Sequence, residues 1–211
     1  MTPSERRTRG PGSQHERRRR EIADAVLEVV AEHGLPAVSL TAVAARAGVS
    51  PGRVQHYFPA KDRLIEAAFD RGNERSEARI AAKTGTGPDA ARPRHVLTIV
   101  LTELIPYDGP TRAHMRVRQW FTGLALADDA IAARMRADYA RLHERLAGLL
   151  RGDRVPEPGA EAVRLVALAE GLAYYVLIGV TPAAAARAQV LDAVAAAYEG
   201  RPRRGTGGPD S

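Results

Sequence analysis

The chain has no cysteine among its 211 residues. This absence excludes disulfide bonds, thiolate zinc sites and thiol nucleophiles, and it suits a reducing compartment, so we expect the cytoplasm. Long hydrophobic runs are missing too, because the longest, 171–180, falls far short of the roughly 20 residues that cross a bilayer. The first twenty residues carry charge without an apolar segment behind them, which argues against a secretory signal. We expect a soluble protein without a membrane span.

Alternation of apolar and polar residues, the mark of a half-buried β-strand, is almost absent. Helical spacing is present instead: in 17–33, Ile22, Val26 and Val30 lie on one face, and Gly34 follows as a stop. We predict an all-α protein. The first four helices are expected at 17–33, 40–47 and 51–57 and from near Lys61 onward. Others are expected near 94–106, 110–126, 128–151, 159–179 and 182–199.

The net charge of +6 is concentrated at the two ends. Residues 1–20 hold seven arginines and two glutamates, for +5, and 201–211 hold three arginines and one aspartate, for +2, so 21–200 carries −1. Both ends are rich in Gly, Pro and Arg, and we expect a disordered basic arm over 1–16 and a disordered tail over 201–211. Such an arm either keeps the chain in solution or grips DNA phosphates, and the sequence leaves both readings open.

The stretch KTGTGPDAARP, residues 83–93, is the clearest linker in the chain. We predict that it divides an N-terminal domain, 17–82, from a larger helical domain, 93–200. The first of these domains contains two short predicted helices, 40–47 and 51–57, joined by a turn at Gly48. That form is a helix-turn-helix, with Val43, Val49 and Val54 as its small shared core.

The second short helix has a start suited to DNA. Ser50 can cap it, Pro51 fits its first position, and Gly52 has no side chain to hold the backbone away from a phosphate. Arg53 can pair with guanine O6 and N7 in the major groove and is the leading candidate for specificity. Tyr57 would either pack its ring or give its hydroxyl to the DNA backbone. The candidate DNA-contacting residues are Ser39, Thr41, Ser50, Pro51, Gly52, Arg53, Gln55, His56, Tyr57 and Lys61.

The stretch LTAVAARAGVSPGRVQHYFPAKDRLIEAAF, residues 40–69, resembles the TetR-type transcriptional repressors. The shared features are an Ala-Gly-Val-Ser turn, a short recognition helix ending in Tyr-Phe, and a following Lys-Asp-x-Leu. Gln55 departs from that pattern, since many members carry tyrosine there. The resemblance implies double-stranded DNA with a palindromic operator as partner, a homodimer, and a small-molecule effector that releases the DNA.

The homodimer implied by the resemblance would form through the last two long helices, near 159–179 and 182–199. Two stripes at helical spacing support this interface, although internal core would give the same pattern. The stripes are Val163, Val166, Ala167, Gly171, Tyr174 and Ile178 on one helix, and Val190, Val194, Ala197 and Tyr198 on the other.

Most of the aromatic residues outside the helix-turn-helix lie in the second half of the chain. We expect the effector to contact some of them, although plain core packing is the stronger interpretation for each one taken singly. Arg116 and Arg118 would suit an anionic effector or serve as surface charge. The candidate ligand-contacting residues are Met115, Trp120, Phe121, Tyr139 and Tyr174.

Enzyme functions find little support in the sequence. The six histidines include no pair at the spacing of a helical metal site, so neither a metal nor a cofactor is implied. Lys83-Thr84-Gly85 matches one element of the penicillin-binding enzymes, but no upstream serine begins an S-x-x-K, and its lysine precedes the glycines, unlike a Walker loop. The alternative to a regulator is a non-specific architectural DNA-binding protein that uses the arginine-rich ends and no effector.

Overall fold

Residues 11–85 and 92–199, the part that the computed structural model describes, form nine α-helices and no β-strand. A short 3₁₀ turn, Leu35–Ala37, joins the first two helices. The helices are α1 Pro11–His33, α2 Leu40–Ala47, α3 Pro51–Tyr57, α4 Lys61–Thr84, α5 Pro93–Glu103, α6 Gly109–Ala125, α7 Asp129–Gly152, α8 Pro158–Leu177 and α9 Ala183–Glu199. The all-α prediction is confirmed. None of these helices combines the length and apolar character needed to span a bilayer.

Helix α1 begins earlier than the sequence predicted. We expected a disordered arm over 1–16, whereas the helix starts at Pro11. Gln, Glu and Arg are good helix formers and fill most of 14–20, and Arg18 pairs with Glu21 one turn later at 2.6 Å. Residues 11–16 are therefore helical. The remainder of the expected arm, 1–10, the expected tail, 201–211, and residues 86–91 of the linker lie outside the described residues.

The chain packs as two compact units, and the first consists of residues up to Glu77 together with Asp108–Ala127. Helix α6 belongs to it because its apolar face packs against α1. Ala113, Val117 and Phe121, spaced four residues apart on α6, are almost completely buried. Because α6 follows the linker, we predicted that it belongs to the second domain. By packing it belongs to the first unit.

Ion pairs between α1 and α4 add to the apolar packing of the first unit. Asp24 on α1 accepts hydrogen bonds from Arg71, with 2.6 Å between Oδ1 and Nε, and pairs with Arg75 at 2.8 Å. The hydrogen bond to Asp24 raises the pKa of Arg71, although burial lowers it, and the net effect is a rise. Arg71 and Arg75 therefore fasten α4 to α1 through one carboxylate.

The second unit consists of Ala78–Tyr107 and the residues from Asp128 onward. Its core is aliphatic and includes Leu97, Leu101, Leu146 and Leu150, each fully buried. Within it the side chain of Glu103 is completely buried and is matched by two cations of α4. Its carboxylate accepts from Arg79 Nε at 2.5 Å and from Lys83 Nζ at 2.7 Å.

Lys83 closes this buried cluster. Burial lowers the pKa of Lys83, but its hydrogen bonds to Glu103 and to the Tyr107 hydroxyl raise it, and the rise is larger. A buried carboxylate is tolerated only when it is paired with a cation and hydrogen-bonded. The Glu103 carboxylate meets both conditions, because Arg79 and Lys83 are charged and also donate hydrogen bonds to it. The last turns of α4 are thereby anchored in the second unit.

Helices α4 and α6 are in close contact at Gly72. A Cβ atom on this residue would lie 2.1 Å from Cδ2 of the His114 imidazole, well inside van der Waals contact. His114 is itself only 8% exposed, and its Nε2 lies 3.1 Å from Asn73 Oδ1. The ring therefore has little room to move aside, and Gly72 is required by packing.

We expect Gly72→Ala to lower the free energy of unfolding by about 1 to 3 kcal/mol, because the added methyl overlaps a buried ring. Alanine normally stabilises a helix relative to glycine, so the sign of the change is informative. Gly123→Ala in α6 is the matched control, since nothing lies within 4 Å of its Cβ position. Urea unfolding of both variants makes the comparison, and equal stabilisation by both would contradict a tight contact at Gly72.

Candidate nucleic-acid interface

The helix-turn-helix predicted at 40–57 is present with the expected caps. The Ser39 hydroxyl accepts a hydrogen bond from the Ala42 amide at 3.1 Å, and the Ser50 hydroxyl accepts from the Arg53 amide at 3.2 Å. Gly48 adopts φ 63° and ψ 38°, the left-handed conformation that ends α2. The bounds of α2 and α3 therefore follow from three local signals that the sequence displays.

The inner face of α2 and α3 is apolar. Val43 and Val54 have no exposed surface, and Ala44 is 1% exposed where the two helices pack together. Val49 is only half-buried, so it contributes less to the shared core than predicted. Phe58, which follows α3 directly, is 1% exposed and supplies the large apolar side chain instead.

The outer face of α3 is open. Nothing lies within 4 Å of the Cβ position of Gly52, which leaves the backbone accessible there. Tyr57 is half-buried, and the other candidate DNA-contacting residues are exposed. Among the described residues, the interactions of Arg53 involve its amide and leave its guanidinium without a carboxylate partner. The exposed candidates are Ser39, Thr41, Ser50, Pro51, Gly52, Arg53, Gln55, His56 and Lys61.

Helix α1 holds the C-terminal end of α3, a role that the sequence did not reveal. Arg19 donates to the Tyr57 carbonyl at 3.3 Å, and its guanidinium lies 4.7 Å from the centre of the Phe58 ring. The His15 and Tyr57 rings are 4.7 Å apart. These contacts account for the half-buried state of Tyr57. The run of arginines at 17–20 was the only sequence signal, and it does not say which arginine turns inward.

Arg46 fastens α2 to the same helix. Its guanidinium pairs with Glu32 and lies 3.8 Å from Glu28, both on α1. Because these side chains are partly exposed, each pair contributes at most about 1 kcal/mol. Their main effect is to fix the orientation of α2 relative to α1.

The five candidate ligand-contacting residues fall in different units. Met115 and Phe121 are 1% exposed in the core of the first unit, where Phe121 stacks on Phe69 with 4.5 Å between ring centres. Trp120 is partly buried in the same unit, and the Lys61 ammonium lies 4.7 Å from its ring centre. Lys61 thus combines a candidate phosphate contact with a cation–π contact.

Tyr139 and Tyr174 belong to the second unit. The Tyr139 hydroxyl lies 2.5 Å from a carboxylate oxygen of Glu170, to which it donates. Tyr174 is 47% exposed and lies beside Tyr175, with 6.3 Å between ring centres. The assignment of all five residues to a ligand site stays a prediction.

The two stripes expected at a subunit interface differ in exposure. The first stripe is exposed along α8 and at its C-terminal cap, Ile178, and only Val166 is buried. Its exposed members are Val163, Ala167, Gly171, Tyr174 and Ile178. The prediction that the stripe on α9 forms a subunit interface is wrong. The stripe faces the core of its own unit and leaves little surface for a second subunit. Its members Val190, Val194 and Tyr198 are buried, and Ala197 is half-buried.

The exposed face of α9 carries alanines instead. Ala185, Ala188 and Ala196 lie on it with Asp192 between the last two. Small residues permit close approach of a neighbouring helix, so this face suits helix packing better than the predicted one. Because alanine is found all around α9, hydrophobic spacing alone does not decide which face is inside.

Comparison with known proteins agrees with this architecture. Residues 22–68 match the model for bacterial regulatory proteins of the tetR family, and 93–199 match that for the C-terminal part of BetI-type transcriptional repressors. The HTH-type transcriptional regulator PksA of Bacillus subtilis (strain 168) is 33% identical over 174 residues, which cover 78% of this chain and 80% of PksA.

Two solved structures are also similar. A transcriptional regulator from Rhodococcus sp. Rha1 has a TM-score of 0.73 and 26% identity, over 86% of this chain and 96% of that one. The multidrug binding protein EbrR complexed with imidazole has a TM-score of 0.59 and 27% identity, over 90% of this chain and 97% of that one. The family models, the curated relative and the exposed helix-turn-helix agree, and the chain belongs to the TetR family of transcriptional regulators.

Proposed function

We propose that this regulator binds a palindromic DNA operator as a homodimer, represses transcription from it, and releases it when a small molecule binds. The observation that carries the proposal is the outer face of α3, where exposed Ser50, Arg53 and His56 surround the open backbone of Gly52. We place the protein in the cytoplasm, beside the DNA, and assign it no catalytic activity.

Arg53 reads the operator. Its guanidinium has no carboxylate partner among the described residues, so it meets DNA without first breaking an ion pair. Val54, its neighbour, is fully buried and holds this turn of α3 in place. An arginine presented in this way pairs with both acceptors of a guanine, whereas exposed Thr41 and Lys61 contact phosphates.

We expect Arg53→Ala to weaken binding to the operator by about 1 to 3 kcal/mol and to relax the base preference at one position of each half-site. The operator is first selected from random-sequence duplexes, and binding is then measured by fluorescence anisotropy. Arg141→Ala is the matched control, because Arg141 is an exposed arginine of α7 that pairs with Asp138. Equal weakening on every sequence would reduce Arg53 to a phosphate contact, and a wild-type protein without a preferred duplex would favour the architectural alternative.

The homodimer forms through the exposed stripe of α8 and the alanine face of α9. Tyr174, Tyr175 and Ile178 are each about half exposed, which is costly for a helix that stays in water. Two-fold symmetry pairs each stripe with its own copy, and it presents two α3 helices to half-sites about 34 to 36 Å apart.

We expect Ala167→Glu to shift the protein from dimer to monomer, because it places two like charges at the centre of a symmetric apolar contact. Sedimentation velocity at micromolar concentration measures the change. Ala137→Glu is the control, since Ala137 is an exposed alanine of α7 outside the stripe. A dimer that survives Ala167→Glu unchanged would place the interface elsewhere.

The effector contacts one of two groups of the predicted ligand residues: Met115, Trp120 and Phe121 in the first unit, or Tyr139 and Tyr174 in the second. Support comes from the BetI-type match over 93–199 and from EbrR, a related structure that holds a small molecule. Trp120 is the only tryptophan of the chain, so the tryptophan fluorescence of the protein reports on the surroundings of this residue alone.

We expect compounds that raise the melting temperature in a thermal-shift screen also to release the operator, and those that bind in the first unit to change the emission of Trp120. A true effector stabilises the folded state by mass action, by about 2.7 kcal/mol at a hundred times its dissociation constant. Tyr139→Ala should weaken binding of compounds that act in the second unit, whereas Tyr107→Ala serves as a control in that unit. Release of DNA with unchanged Trp120 emission and with unchanged affinity in Tyr139→Ala would exclude both groups of predicted ligand residues.

A further inference from the structure

A cleft of about 290 Å³ lies in the first unit between the start of α1 and the recognition helix α3. None of the sequence signals pointed to it, because its two walls are more than thirty positions apart in the chain. Every lining side chain has a polar or charged group suited to an anion. The lining residues are Gln14, His15, Arg17, Arg18, Arg53 and Tyr57.

Positive charge exceeds negative charge in this cleft. Arg18 pairs with Glu21 at 2.6 Å, and Arg17 lies 3.6 Å from the other oxygen of the same carboxylate. One carboxylate therefore serves two arginines, and Arg53 adds a third cation without a carboxylate partner among the described residues. Glu21 is 40% exposed and lies outside the lining, so it only partly offsets the field inside the cleft.

The cleft is held in position relative to the recognition helix. Tyr57 contributes one wall, and it is fixed by the ring of His15 at 4.7 Å and by the Arg19 hydrogen bond to its carbonyl at 3.3 Å. Arg17 and Arg18 are carried by the same helix as those two residues. Their charges are therefore placed beside Arg53 before any DNA arrives, which lowers the entropic cost of binding.

We infer that this cleft is a binding site for one phosphodiester of the operator backbone, with Arg17 and Arg18 as its main ligands. The inference rests on the proposed function, because Arg53 belongs both to the cleft and to the surface that reads the bases. A strand whose base edge meets Arg53 carries its sugar–phosphate chain past the same side of α3. Arg17 and Arg18 contact that chain without reading sequence.

The test compares three forms of the full-length protein: wild type, Arg17→Gln/Arg18→Gln, and the control Arg20→Gln. Arg20 is an exposed neighbour on α1 that does not line the cleft and lies 3.7 Å from Glu74. Affinity is measured on the selected operator and on a scrambled duplex between 50 and 300 mM NaCl. We expect the double variant to bind both duplexes on the order of tenfold more weakly and to reduce the salt slope by about one. The control should keep the wild-type slope.

Two further arms make the result decisive. Arg17→Lys/Arg18→Lys keeps the charge and should restore most of the slope, and thermal melts identify any variant that does not fold. Inorganic phosphate is the second arm: if it stabilises wild type but not the Gln variant while the DNA slopes stay equal, the cleft takes a free anion and the inference is overturned. If wild type and the Gln variant have equal salt slopes and phosphate stabilises neither, the inference is overturned as well. Loss of operator preference in wild type would instead overturn the proposed function.

Discussion

The recognition helix depends on two buried side chains. Helix α3 has only seven residues, and an isolated helix of that length is unstable in water. Val54 and Phe58, four residues apart and on the same side, are almost completely buried against the rest of the first unit. The remaining positions of α3 are consequently free to carry groups that serve DNA rather than stability. A polar residue in place of Val54 would remove the buried contact that holds Arg53 at the surface.

Helix α4 contributes residues to both units. Its first part, through Glu77, is fastened to α1 by the Asp24 ion pairs and packs against α6 without a gap at Gly72. Its last turns, from Ala78, are fastened by Arg79 and Lys83 to the buried carboxylate of Glu103. Each end is therefore tied to a charge that is costly to leave unpaired.

The sequence predicted the features whose signals are local. Ser39, Gly48 and Ser50 determine the ends of α2 and α3 through hydrogen bonds to residues within three positions, so those bounds were read directly. Hydrophobic spacing likewise identified the helices of the second half. What the sequence did not reveal depends on the identity of the partner surface. Helix α6 follows a linker yet packs on α1, and α9 has alanine on every side, so neither its inner face nor its outer face stands out.

In the proposed DNA complex, the surroundings of α3 let one short helix serve both affinity and specificity. A phosphate attracts any arginine within reach, so a lone Arg53 at the edge of the groove would be drawn to the backbone as readily as to a guanine. Arg17 and Arg18 supply charge at the α1 wall of the same cleft, and a phosphate held there needs no further cation. Arg53 is then left to the base edge, where a bidentate contact carries sequence information. In this proposal, the arginine-rich start of α1 makes Arg53 selective for the base edge without itself touching a base.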